Sequence, residues 1–148
     1  MKKFVPIFAS TVFLSIHYGA ILYVNSSLLG NFFEPNIVSI LFLAGAVGNI
    51  ILFLFAPKLI KKFGKRTFLF LSLLLATGGT FFLALSTTPF AVAISSIVYI
   101  SLVPMTYYCL DIFLEEISTD TRTGEIRGIY LTFVSLGVAI GPFILAFL

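Results

Sequence analysis

Pro57-Lys58-Leu59-Ile60-Lys61-Lys62-Phe63-Gly64-Lys65-Arg66 holds five of the nine basic residues of a 148-residue chain. Apolar runs flank it on both sides, Ile37 to Ala56 and Thr67 to Leu85. Each is close to the roughly 20 residues of helix that cross a hydrocarbon core. Lys and Arg in a short connection between two spans resist translocation, so this basic hairpin is expected on the cytoplasmic side. Its placement sets the direction of every other span.

Bulk composition agrees with that reading. Apolar residues make up 59% of the chain, charged residues 10%, and the mean hydropathy is +1.14, whereas soluble domains carry roughly a quarter charged residues. The class is an integral membrane protein. A pI near 9.1 does not point to nucleic acid, because the excess charge lies in the connections, where it sets topology. Cys109 is the one cysteine and His17 the one histidine, too few for a tetrahedral metal set or a nucleophilic triad. No glycine-rich phosphate loop is present. The chain is therefore expected to be no enzyme and to use no cofactor, metal or nucleic acid.

Five spans are expected, at about residues 4–29, 37–56, 67–85, 90–114 and 127–148. Lys2 and Lys3 before the first run resemble a signal-peptide start, but the run exceeds the usual apolar core and more spans follow, so it is expected to stay. Gly30, Asn31 and Pro35 break the chain into a first outer connection. The second span clusters Ala44, Gly45, Ala46 and Gly48, and the third Ala76, Gly78 and Gly79, small residues that admit a neighbouring backbone. Pro104 is expected to loosen or kink the fourth span. Asp111 lies about 30 Å along that helix from Phe90, near the inner interface. Glu115 to Arg127 form a polar second inner connection. With this frame all nine Lys and Arg fall on one side, which places the amino terminus in the cytoplasm of a multi-pass cell-membrane protein. Leu148 ends the chain among apolar residues, which reads as an amino-terminal fragment in preference to a split half.

Two stretches carry a family resemblance. The basic hairpin, through Lys62, Gly64, Lys65 and Arg66, resembles the connection between the second and third helices of the major facilitator superfamily of secondary transporters. It departs at Pro57, where that pattern has Gly, and at Lys61, where it has Asp. Gly128, Gly137, Gly141 and Pro142 are similar to the family's glycine-spaced fifth helix, although Leu145 and Ala146 stand where glycines are usual. The bland alternatives are a topology signal for the first and ordinary helix packing for the second.

The resemblance implies an all-α polytopic bundle: a three-helix repeat plus two helices of a second, incomplete one. It also implies a transporter moving a small solute by alternating access. The remaining helices of such a transporter would then be partners, together with the solute and the bilayer; protons as coupling ion are left open. His17, Tyr18, Asn49 and Tyr107 are the candidates to line the cavity, chosen for polarity within apolar spans. Lys61, Lys62, Gly64, Lys65, Arg66 and Asp111 form the inner gating motif, in which Asp111 would meet Lys65, or Lys61 or Lys62 in its place. The alternative class is a non-transporting membrane scaffold or assembly protein. A small multidrug-type exporter fits less well, because the first span carries no acid.

Overall fold

The computed structural model describes residues 4–118 and 122–147, and all its regular elements are helices. They are α1 (Val5–Gly30), α2 (Pro35–Phe63), α3 (Lys65–Leu85), α4 (Pro89–Ile117) and α5 (Thr123–Leu145). All five are long and apolar enough to cross a membrane, as expected for a polytopic all-α chain. Phe13, Leu54 and Phe90 are each more than 70% exposed, and large apolar side chains on all five helices are exposed. An apolar surface of that extent belongs against lipid and not water. The chain is a multi-pass membrane protein.

The starts and stops follow local chemistry. Pro35 and Pro89 each open a helix, where the fixed φ suits the first turn and the missing N–H would have no partner anyway. Gly64 alone separates α2 from α3, at φ 82° and ψ 151°, with its N–H donating to Ile60 O at 2.8 Å. A side chain is strained in that region, so Gly64→Ala is expected to cost about 1–3 kcal/mol. A thermal melt of the full chain in detergent, followed by helical circular dichroism, reads the loss; an unshifted midpoint would contradict it.

The hairpin expected from Pro57 to Arg66 is therefore not a loop. Pro57 sits inside α2, which continues six residues further to Phe63. One proline withholds a single N–H from Phe53 O, while Lys58, Leu59, Ile60, Lys61 and Lys62 are mostly good helix formers. Lys61 and Lys62 also sit in the last turn, at the negative end of the helix dipole. The fourth span likewise runs past residue 114 to Ile117 and continues through Pro104. The fifth starts at Thr123, which puts Arg127 in its second turn and not at its start. Lys2, Lys3 and Asp120 lie outside the described residues.

The chain divides into two compact units, residues 1–24 with 110–148, and residues 25–109. In the first, Gly137 faces Val12, Ser15 and Ile16, and Gly141 faces Ile16, Gly19 and Ala20. Contacts that advance together along both helices make α1 and α5 parallel. Within the second unit, Leu41 and Val92 share one core cluster with Leu29, Val38 and Leu83, while Ala56 shares another with Phe68, Met105 and Cys109. By the same reasoning α2 and α4 are parallel. Each parallel pair is what an up-and-down five-span chain requires.

Candidate functional site

In the first unit the α1–α5 seam is built from residues without bulk. Thr11, Ser15 and Gly19 recur every four residues on α1, and all three are buried. Small residues at that spacing put the backbones of two helices in contact. A Cβ added at Gly141 would lie 2.5 Å from Ile16 O and 2.8 Å from Gly19 C, and would also strike Ala20 N. One added at Gly19 would strike Val138 O and lie 2.8 Å from Val138 Cα. Phe8 and Phe133 meet beyond the glycines as a tilted pair, with ring centroids 5.3 Å apart. Of the glycines expected to matter in the fifth span, Gly137 and Gly141 lie in this seam. Gly128 does not, since nothing is within 4 Å of its would-be Cβ. Pro142 follows Gly141 inside a continuous α5.

The same unit joins the end of α4 to the start of α5 through charge. Arg127 donates from Nε to Asp111 Oδ1 and from Nη2 to Asp111 Oδ2, both at 3.0 Å. Its Nη2 also donates to Glu115 Oε2 at 3.0 Å. This is the bidentate fork that only guanidinium offers a carboxylate. Asp111 and Glu115 are four residues apart on one helical face, where like charges repel. Arg127 sits between them and cancels that repulsion. A second fork, Arg122 to Glu125 at 3.1 Å, is exposed; its hydrogen bonds and charge raise the Arg122 guanidinium further above its ordinary pKa. Ser118 Oγ and Thr123 Oγ1 are hydrogen-bonded at 2.9 Å across the same turn. Within this unit Asp111 thus takes Arg127 as its partner.

His17 and Tyr18 belong to this unit, His17 exposed and Tyr18 half-buried. A concavity of about 400 Å³ lies between the starts of α1 and α5, lined by Phe4, Val5, Phe8, Ile126, Ile129 and Phe133 together with Arg122 and Glu125. Its lining is mostly apolar, and it includes neither His17 nor Tyr18.

The second unit holds Asn49 and Tyr107, both half-buried. Asn49 Nδ2 donates to Ser101 O at 2.9 Å, tying α2 to α4. Ser101 Oγ shares its proton between Gly45 O at 3.0 Å and Ile97 O at 2.7 Å. Gly45 and Gly48 make this approach feasible, since a Cβ at Gly45 would lie 2.6 Å from Ile100 Cγ2 and one at Gly48 would strike Ser101 Oγ. Asn49 therefore has a structural partner. Ser101, missed in the sequence, was discoverable as a hydroxyl amid an apolar run. Among the described residues no group of three His, Cys, Asp or Glu could hold a metal.

The basic residues are arranged along the hinge of this unit. Lys58, Lys61, Lys62 and Arg66 are exposed and Lys65 half-buried. Comparisons with protein-family models, with curated proteins and with solved structures return no match.

Proposed function

We propose that this chain supplies the amino-terminal helices of a secondary transporter of the major facilitator type, moving a small solute across the cell membrane by alternating access. The observation that carries the reading is the parallel α1–α5 seam, where Gly19, Gly137 and Gly141 bring backbone against backbone. Contact surfaces without interlocking side chains let packed helices slide by small shears, one of the motions that domain closure uses. Pro142 beside Gly141 removes a hydrogen-bond donor from α5 and frees a carbonyl. In this reading Lys58 to Arg66 and the amino terminus face the cytoplasm.

Single cysteines in a Cys109→Ser background test both parts. Lys62→Cys should resist a membrane-impermeant maleimide in intact cells while Glu34→Cys reacts; the reverse pattern would invert the topology. Cysteines at Tyr18, Asn49 and Tyr107 should react with small water-soluble maleimides, because cavity walls are hydrated. Failure of all three from both faces of inside-out and right-side-out vesicles would rule out a transport pathway and favour a scaffold.

A further inference from the structure

The unit spanning residues 25–109 contains one acidic residue, Glu34, and five basic ones, all between Lys58 and Arg66. Glu34 is the N-cap of α2, whereas the bases lie at the far end of that 29-residue helix and the start of α3. The separation is about 40 Å, several times the ~8–10 Å over which salt screens exposed charges. Glu34 is therefore too far from these bases to neutralise them. Lys58, Lys61 and Lys62 stand at i, i+3 and i+4 on one helical face, where like charges repel. Lys65 and Arg66 occupy the first turn of α3, the end of a helix where the dipole disfavours cations. Gly64 caps that turn with no side chain. Four of these bases, Lys58, Lys61, Lys62 and Arg66, are exposed and have no ion pair with any described residue.

Their other neighbours are aromatic. Lys58 Nζ lies 5.9 Å from the Phe55 ring centroid and Lys62 Nζ 5.2 Å from that of Phe63, and both rings are themselves exposed. Apolar rings beside ammonium groups, at the end of membrane-crossing helices, match the boundary between acyl chains and headgroups. We propose that the α2–α3 hinge is a binding surface for the phosphate headgroups of anionic phospholipids in the leaflet it faces. A topology signal acts during insertion and needs only the correct sign of charge. A headgroup surface instead gives the finished protein an equilibrium preference among lipids. Exposed Leu54, Phe55 and Phe70 flank the bases and receive the acyl chains, which a free phosphate ion lacks.

The test is native mass spectrometry of the full chain, purified in detergent, with equal amounts of dioleoyl phosphatidylglycerol and dioleoyl phosphatidylcholine. Each surface base is worth roughly fivefold in partitioning to an anionic surface, so the glycerol lipid should be retained at least about tenfold over the choline lipid. Combining Lys58→Gln, Lys61→Gln, Lys62→Gln and Arg66→Gln should bring the ratio close to one, with helical circular dichroism unchanged. Lys2→Gln with Lys3→Gln should preserve it. An unaltered ratio in the four-residue variant, or an equal loss in the Lys2 and Lys3 variant, would overturn the proposal. So would displacement of the lipid by excess inorganic phosphate, which would mark a site for the free ion. Should the four-residue variant not fold, salt decides: the preference of the unaltered chain must fall as potassium chloride rises, and an insensitive preference overturns the proposal.

Discussion

Gly141→Val is expected to destabilise the chain by about 3 kcal/mol or more, at the upper end of what overpacking costs. The reason is the identity of the atoms in the way. A flexible side chain can rotate aside, but the Cβ at this position would meet Ile16 O, Gly19 C and Ala20 N, all backbone of α1. Relief requires the helices to separate, which forfeits the van der Waals packing that holds helices together in lipid, where no hydrophobic force acts between them. Gly128→Val is the matched control. It adds the same β-branched side chain to the same helix at a place with nothing within 4 Å, so its effect should stay near the ~0.5 kcal/mol typical of open positions. Titrating both variants with sodium dodecyl sulfate in mixed micelles, followed by far-ultraviolet circular dichroism, measures the difference. Equal midpoints would mean that the α1–α5 seam does not exist in the folded protein.

How much of this was legible in the sequence depended on range. Five helices followed from apolar runs and the charge between them, because a membrane leaves the backbone few alternatives to a helix. Gly137 and Gly141 were legible as packing residues from their four-residue spacing. Their counterpart follows the same rule, since Thr11, Ser15 and Gly19 repeat at that interval on α1, but hydroxyls amid Phe and Leu mark a contact face less plainly than glycines do. Gly128 shows the limit of spacing: it extends the pattern, yet the face it occupies meets nothing. The end of α2 lies beyond residue 56 because an apolar run ends where charge begins, whereas the helix does not: the residues after Pro57 hold it to Phe63. Asp111 finding Arg127 depends on where α4 ends and α5 begins. With those ends at Ile117 and Thr123, Arg127 lies in the second turn of a helix and no longer among loose loop charges.

That pairing should control how firmly α4 is joined to α5. Trypsin can cut after Arg122, whose side chain is 66% exposed at the turn between them. Cleavage there reports how often the junction opens. Arg127→Glu would set a third carboxylate beside Asp111 and Glu115, where three hydrogen bonds now hold the guanidinium. Asp111 and Arg127 are 35% and 40% exposed, which places them between surface pairs of little value and buried pairs whose loss strands a charge. Cleavage after Arg122 is therefore expected to rise roughly tenfold in Arg127→Glu, and similarly in Asp111→Arg. Glu115→Gln should change it less, because it removes one charge and leaves the bidentate fork intact. The decisive variant carries Asp111→Arg and Arg127→Glu together. A swapped pair restores opposite charges across the junction while leaving Glu115 beside a cation, so cleavage should return toward the original rate. Single variants cut at the original rate would show that the fork does not hold the junction. A double variant no better than either single one would mean that the particular geometry of Arg127 on α5, and not its charge, is what the junction needs.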